Sequence, residues 1–373
     1  MDKTFFKSSA ILIGSVIGAG VLGIPYVVSK AGFLNGIIVI LAIAVITTLL
    51  LLYLGEVTLR TKGIHQLTGY AERYLGKKGK FLMLIGMIIG IYGALLAYII
   101  GIGKTLSALI PGPSILYSTL VFILLAYIIY KGLKAVESSE LYAVSITFFI
   151  VILISILSYK NINLENLQST FSLSKLFIPY GVILFAFIGF SAIPELREEL
   201  KGKEKLLKKS IITSLIIISF LYILFSFVTV AVTGSSTTEI ATIGLGNSVG
   251  PIILILGNLF ALFAMSTSFL AIGLALKEMY IFDYEIGAKK SWALTCLIPF
   301  ILFLLLKNFT SFTKVLSISG VLTGGLSGLL ILFMFIKAKK LGNRTPEYSL
   351  NKNYLIISII ALVFILGVVF GLN

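Results

Sequence analysis

Glycine interrupts two apolar stretches of this sequence, residues 13–25 and 185–195, and a proline follows in each, at Pro25 and Pro194. Apart from Glu195, at the end of the second stretch, neither contains a charged residue. A helix broken in an apolar medium exposes main-chain N–H and C=O groups, which are costly to bury unless a polar partner meets them. A zwitterion supplies both partners, since carboxylates bind at helix starts and cations at helix ends. The two stretches therefore predict a main-chain site for a small amino acid.

Each stretch contributes one side of the predicted site. N–H groups at the start of the second half of the first helix, near Gly20 and Val21, would meet the carboxylate. Carbonyls released near Phe185, Ala186 and Ile188 would meet the ammonium. Because main-chain groups suffice for both charges, the site needs no charged side chain.

Two enzyme-like features of the sequence are interpreted as coincidental. The run from Gly18 to Gly23 matches the glycine fingerprint of dinucleotide-binding proteins, but that motif follows a strand and precedes an acidic residue about twenty positions later. Neither condition holds here, because a long apolar helix follows Gly23. Cys296 is the single cysteine, and no His, Asp or Glu cluster has catalytic or metal-ligating spacing. We therefore expect neither an enzyme nor a cofactor.

The elements that must carry these stretches are membrane helices. Hydrophobic residues make up 58% of the 373 residues and charged residues only 12%, whereas soluble domains are about a quarter charged. The apolar residues form blocks of about twenty, the length that crosses about 30 Å of hydrocarbon. The sequence therefore predicts an all-α integral membrane protein of eleven transmembrane helices. We place them near residues 7–31, 33–59, 80–110, 114–131, 138–159, 174–196, 209–233, 251–280, 290–306, 312–336 and 353–371.

The net charge of +15 is concentrated on one side of these helices. Basic loops mark the cytoplasmic side of a membrane protein, so we predict a multi-pass protein of the plasma membrane with a cytoplasmic N-terminus. This distribution accounts for the net charge, so the predicted partner is membrane lipid and not nucleic acid. The loops predicted to be cytoplasmic are 60–79, 131–137, 197–208, 281–289 and 337–352.

The eleven helices divide into two sets of five and one additional helix. Because five is odd, the second set enters the membrane in the opposite orientation, which makes an inverted repeat within a single domain, residues 1–373. Repeat A covers about 7–159, repeat B about 174–336, and the additional helix about 353–371. The two glycine interruptions lie at matching places in the repeats, as the broken helices of transporters do. Helices 1 and 6 are therefore predicted to be discontinuous.

Other segments have simpler predicted roles. The loop 60–79 has a pattern that suits a helix on the cytoplasmic surface. Segment 234–250 is predicted to be an outer loop, in a position where it could form a lid. The glycines Gly90, Gly93, Gly324, Gly325 and Gly328 are predicted to permit close helix packing.

Three stretches resemble the amino acid/polyamine/organocation superfamily, and most closely its aromatic amino acid permeases and amino acid/auxin permeases. Residues 13–25 are similar to the family's glycine-broken first helix. Residues 185–195 are similar to its sixth helix, in which an aromatic residue precedes the break, and residues 267–278 resemble its eighth-helix Thr-Ser-Phe-Leu signature. The register of all eleven helices agrees with this resemblance.

The resemblance implies a LeuT-type five-plus-five fold, alternating access and amino acid uptake driven by H⁺ or Na⁺. Phe185 lies where an aromatic gate covers the substrate in relatives. The predicted substrate contacts are Ile17, Gly18, Ala19, Gly20, Val21, Phe185, Ala186, Ile188, Gly189 and Ser191. By analogy with sodium-coupled branches, the candidate Na⁺ ligands are Gly14, Ile17, Ala264, Thr267 and Ser268.

The function predicted from the sequence is cation-coupled symport of a neutral amino acid, with aromatic and branched ones among the candidates. Glu56 and Glu195 are candidates for proton coupling, although each could instead pair with a nearby Lys or Arg at the membrane interface. A membrane sensor that binds an amino acid without moving it is the alternative. The coupling ion, the oligomeric state and the particular amino acid stay open at this stage.

Overall fold

The computed structural model describes residues 3–132, 140–282 and 284–371, with side chains for 3–132, 145–281 and 284–371. Within these ranges the regular structure is helical and contains no strand. The helices are α1 (Lys3–Val16), α2 (Gly20–Ala31), α3 (Phe33–Leu59), α4 (Leu67–Leu109), α5 (Ser114–Lys131), α6 (Glu140–Ser158), α7 (Tyr180–Phe187), α8 (Ala192–Glu199), α9 (Leu207–Thr233), α10 (Ala241–Val249), α11 (Pro251–Phe282), α12 (Ala288–Leu306), α13 (Phe312–Leu341) and α14 (Tyr354–Phe370).

Most helix positions agree with the sequence prediction. The structure has α3 at the predicted residues 33–59 and α5 at the predicted 114–131. The predicted start of the fifth helix at residue 138 lies outside the described residues. In the predicted outer loop 234–250, the structure has a short helix, α10, which the abundance of Gly, Ser and Thr concealed.

The third predicted helix, near residues 80–110, corresponds to the part of α4 that follows Gly76, and α4 also includes a preceding segment that begins at Leu67. Gly76, with φ 76° and ψ −172°, kinks α4 between a surface segment and the long apolar segment. This conformation suits glycine, which has no Cβ to clash at positive φ. The surface segment buries Leu67, Tyr70 and Tyr74, one face of a helix. It corresponds to the surface helix predicted within 60–79.

The lengths of the helices are those of a multi-pass membrane protein. Of the described residues, eight helical segments are long and apolar enough to cross a membrane, and α1 and α2, which meet at a bend of 59°, form a ninth as a pair. The apolar helices 145–161 and α14 are shorter.

The helices pack in two groups. In the first, α9 contacts α1, α2 and α3, and α3 also contacts α7 and α8. In the second, α4, α5, α11 and α12 contact one another. Between the groups, α13 packs against α4 on one side and α7 on the other. Helices α2 and α7 are apolar and almost wholly buried. They therefore lie at the centre of the molecule, where the two groups meet.

One end of the molecule is held by a buried carboxylate. Glu56, near the end of α3, is fully buried and accepts hydrogen bonds from Arg60 Nε at 2.7 Å and Leu350 N at 2.6 Å. Lys339 Nζ, on α13, lies 2.5 Å from the same carboxylate. Glu56 thereby ties α3 to α13 and to the segment that leads into α14. These pairs favour the structural interpretation of Glu56, and its role in proton coupling stays a prediction.

Replacing Glu56 by Gln should destabilise the protein, because Lys339 and Arg60 would lose the charge that compensates their burial. We expect a loss on the order of 3 kcal/mol in the free energy of unfolding, measured by denaturation in detergent. The control is Lys7→Gln, which removes the more exposed Lys7–Glu199 pair and should change stability little. Equal effects of the two substitutions, or a Glu56→Gln variant as stable as the wild type, would contradict the structural role.

Candidate functional site

The first glycine interruption is a break in the helix. At the end of α1, Ile17 N still donates to Ile13 O at 2.8 Å, but Gly18 N turns to Val16 O at 2.9 Å. Among the described residues, no acceptor is found for the amide of Ala19. Helical bonding resumes in α2 from Gly20. The break therefore leaves main-chain groups without helical partners at the centre of an apolar helix pair.

The second interruption has the same character. Helix α7 ends at Phe187, and Ile188 adopts an extended conformation, with φ −70° and ψ 119°. Helix α8 begins at Ala192. Within the part of the chain that the structure describes, the amides of Gly189 and Ser191 have no acceptor. Both stretches that the sequence singled out thus expose backbone donors.

The two breaks lie side by side. A Cβ on Gly20 would stand 3.0 Å from the Cα of Ala186 and 3.3 Å from the ring of Phe185. A Cβ on Gly189 would overlap the side chain of Val16, at the end of α1. Glycine is thus required for the close approach of the broken helices, and it brings the two predicted sides of the site together.

Gly18 faces the second helix group. The position of a Cβ on Gly18 lies 3.3 Å from Ser268 Oγ on α11 and 3.5 Å from the Tyr98 hydroxyl on α4. Tyr98 is buried, and its hydroxyl and the hydroxyl of Ser268 both border this position. Gly18, a predicted substrate contact, and Ser268, a predicted ion ligand, are therefore neighbours. Tyr98, which the sequence analysis missed, lies beside Gly18 as well. The feature of the sequence that could have indicated Tyr98 is the presence of a tyrosine within an apolar helix.

The other candidate residues are distributed around this centre. Thr267, the second hydroxyl of the predicted Na⁺ site, donates to Phe263 O at 2.9 Å and Ala264 O at 3.2 Å in its own helix. Glu195 is exposed in the first turn of α8. Ile17, Gly18 and Ala19 lie in the first break, and Ile188, Gly189 and Ser191 lie in the second. Gly14 lies in the last turn of α1, Gly20 and Val21 start α2, and Phe185 and Ala186 lie in the last turn of α7.

Tyr222, on α9, is a second residue that the sequence analysis missed. Its hydroxyl donates to Ala186 O at 2.7 Å and lies 3.3 Å from Val16 O. Its ring is fully buried and packs edge-on against Phe187, with the centroids 5.1 Å apart. One side chain thus contacts the main chain of both broken helices.

The two ends of the molecule differ in their access to the breaks. Toward the end that carries α1 and α8, Ser15 and Ser191 are exposed, whereas Val21 and Val182, beyond the breaks, are buried. Two surface cavities, of about 550 and 730 Å³, lie next to Gly287 and Gly32, and neither is lined by residues of the breaks.

A polar cluster joins three elements at the opposite end. Glu239, just before α10, pairs with Lys104 of α4 at 2.6 Å and accepts a hydrogen bond from Thr313 of α13 at 2.8 Å. Burial alone would raise the pKa of Glu239, but hydrogen bonds from Lys104, Ser311 and Thr313, with the charge of Lys104, hold the pKa below its usual value. The charged form is therefore favoured, and it fastens the segment before α10 across the helix ends.

Comparison with known protein families gives a match over almost the whole chain. The model described as the tryptophan/tyrosine permease family matches residues 1–371. The chain is 29% identical over 299 residues to "Tyrosine-specific transport system 1" of Haemophilus influenzae, covering 74% of this chain and 73% of the relative. It is 29% identical over 258 residues to "Amino acid transporter ANT1" of Arabidopsis thaliana, covering 64% and 58%.

Two solved structures share the fold. The structure of MhsT in complex with L-phenylalanine superposes with a TM-score of 0.67, at 15% identity, and covers 100% of this chain and 98% of that one. The inward-facing conformation of Mhp1 gives a TM-score of 0.65, at 13% identity, and covers 97% and 88%. The predicted resemblance to amino acid permeases is confirmed, and the fold is of the LeuT type.

Alanine at Gly18 and at Gly189 should have different effects. The Cβ of Gly18→Ala would stand 3.3 Å from Ser268 Oγ, at the predicted ligand position, so the variant should fold and lose at least about tenfold in amino acid affinity. The Cβ of Gly189→Ala would overlap Val16, so that variant should lose about 1–3 kcal/mol of stability. Thermal unfolding with and without amino acids measures both quantities. Wild-type affinity in Gly18→Ala would contradict the placement of the ligand beside Gly18.

Proposed function

The chain belongs to the tryptophan/tyrosine permease family, and on that premise we propose that it is a secondary active transporter that carries a neutral amino acid across the plasma membrane. The observation that carries this proposal is the pair of adjacent breaks. Their amides at Ala19, Gly189 and Ser191 have no protein acceptor among the described residues. A ligand with both charges can satisfy donors and acceptors at once.

The site favours a ligand without net charge. From α1 to α2, no charged residue lies between Lys7 and Lys30, and none lies between Lys175 and Glu195. A cationic or anionic substrate side chain would therefore be buried without a charged partner, at a high cost. Phe185 is half-buried beside Gly20, where an aromatic gate would close. The names of the tyrosine-specific relative and of the phenylalanine-bound structure support an aromatic substrate.

We propose a transmembrane topology that agrees with the sequence prediction. It has eleven spans in one domain, residues 1–373, with repeats at 7–159 and 174–336 and an additional helix at 353–371. Spans 1 and 6 are discontinuous, and the N-terminus is cytoplasmic. In this topology, the exposed Ser15 and Ser191 face the cytoplasmic side and the Glu239 cluster closes the outer side.

Transport would follow from relative movement of the two helix groups. The breaks lie in the group that contains α1, α2, α7 and α8, whereas Tyr98 and Ser268 belong to the other group. A ligand between Gly18 and Ser268 therefore contacts both groups. Rocking of one group against the other would open the site first to one side of the membrane and then to the other.

The proposed energy source is a cation gradient. At about 100 mV, one co-transported cation contributes about 2.3 kcal/mol, which supports roughly fifty-fold accumulation. For Na⁺, the candidate ligands are Gly14, Ile17, Ala264, Thr267 and Ser268; for H⁺, the candidate carriers are Glu195 and Glu56.

Purified protein in proteoliposomes should accumulate labelled L-tyrosine, L-tryptophan, L-phenylalanine or another neutral amino acid when a Na⁺ or H⁺ gradient is imposed. The matched control is Gly18→Leu, in which the side chain fills the space before Ser268 and uptake should stop. Failure of the wild type with all twenty amino acids would overturn the proposal. Binding without uptake or counterflow would identify a sensor.

The coupling ion can be assigned by stability measurements. If Na⁺ binds, it should raise the unfolding temperature of the wild type relative to K⁺, and Thr267→Ala and Ser268→Ala should reduce that shift. Thr119→Ala is a matched control, since Thr119 also bonds the carbonyl four residues earlier but lies on α5, which carries none of the candidate site residues. Uptake that follows a pH gradient, without any effect of Na⁺ on stability, would assign H⁺ and exclude the Na⁺ site.

A further inference from the structure

Tyr222 contacts the ends of two different broken helices. Val16 is the last residue of α1, and Ala186 lies in the last turn of α7. The final carbonyls of a helix have no partner within the helix. The hydroxyl of Tyr222 supplies a donor to this position from a third helix, α9.

A neutral phenol has one proton to donate. The distance of 2.7 Å assigns the proton to Ala186 O, and Val16 O, at 3.3 Å, is the second acceptor within reach. A rotation of the hydroxyl would transfer the bond from α7 to α1. The hydroxyl can therefore donate to only one of the two helix ends at a time, and Val16 O also accepts from Gly18 N at 2.9 Å.

The position of Tyr222 separates it from the space beside Gly18. Helix α9 packs against α1, α2 and α3, whereas Gly18 faces Tyr98 of α4 and Ser268 of α11. Tyr222 therefore reaches the breaks from the side of α9, whereas the proposed ligand position beside Gly18 borders α4 and α11. Its role is to position the helix ends.

Helix α1 also has polar contacts to α9 that do not involve α7. Ser8 and Ser210 hydroxyls are 2.8 Å apart, and Ser214 Oγ donates to Ser9 O at 3.1 Å. These bonds join α1 to α9 without any contribution from α7. Tyr222 differs from these serines because its hydroxyl reaches both α1 and α7.

We propose that Tyr222 couples the two broken spans so that they do not open together. This inference rests on the proposed function, in which α1 is the cytoplasmic half of span 1 and α7 is the outer half of span 6. If α1 tilts away to open the cytoplasmic side, the hydroxyl stays hydrogen-bonded to Ala186 O. If α7 tilts away to open the outer side, the hydroxyl donates to Val16 O instead. Tilting both helices at once would leave the buried hydroxyl without an acceptor, which is unfavourable. A state open to both sides, through which substrate would leak, is thereby suppressed.

The test is Tyr222→Phe, which keeps the ring packed on Phe187 and removes the hydroxyl. We expect efflux of preloaded substrate in the absence of an ion gradient to rise roughly three- to tenfold, the factor that one net hydrogen bond represents. Steady-state accumulation should fall correspondingly. The dissociation constant of the substrate should change less than about threefold, because Tyr222 bonds to the helix ends from the side of α9 and the proposed ligand position borders α4 and α11. A loss of structure alone would not raise leak while it leaves affinity unchanged.

Ser214→Ala is the matched control, because it removes a bond from α9 to α1 alone and should not raise the leak. Wild-type leak in Tyr222→Phe, or loss of affinity in proportion to accumulation, would overturn the inference. Either result is distinct from failure of the wild type to transport, which would overturn the proposed function.

If Tyr222→Phe does not fold, hydrogen–deuterium exchange of the wild type tests the same coupling. Exchange in peptides that cover 13–21 and 185–193 should respond to substrate in opposite directions, one helix end loosening as the other tightens. Independent or parallel responses would overturn the inference.

Discussion

Main-chain groups that lose their helical partners in an apolar interior must find other partners, and the arrangement around the two breaks depends on this constraint. The protein meets it with neutral groups. The hydroxyl of Tyr222 lies within hydrogen-bonding distance of carbonyls at the ends of α1 and α7, and Tyr98 and Ser268 lie beside Gly18. The amides that have no acceptor among the described residues then define where a ligand would contribute most.

Charged side chains are subject to the same constraint and lie at the two ends of the molecule. The buried carboxylate of Glu56 is surrounded by Arg60, Lys339 and a main-chain amide, and Glu239 is held by Lys104 and hydroxyls. A charge at the breaks without such partners would be costly. The centre is consequently neutral, which suits a ligand that carries one charge of each sign.

Glycine has two roles that the sequence distinguished only in part. The prediction that Gly90 and Gly93 permit helix packing is confirmed, since their missing side chains would meet Thr323 and Ser319 of α13. Gly18 differs, because it faces hydroxyls on α4 and α11. Gly189 belongs to the breaks, yet its missing side chain would meet Val16, so close contact of the broken helices is what requires glycine there. Direct contact of Gly189 with a substrate stays a prediction.

The sequence by itself determined the membrane class, most of the helix positions and the places where two helices break, because hydrophobicity and the effects of Gly and Pro act locally along the chain. The tertiary structure alone decided which distant groups meet the breaks. The hydroxyl of Tyr222 reaches acceptors 36 and 206 positions away, and nothing in its neighbours along the sequence marks it. Such bonds depend on how helices pack, and packing depends on side-chain shape across many helices at once, which a local pattern does not encode.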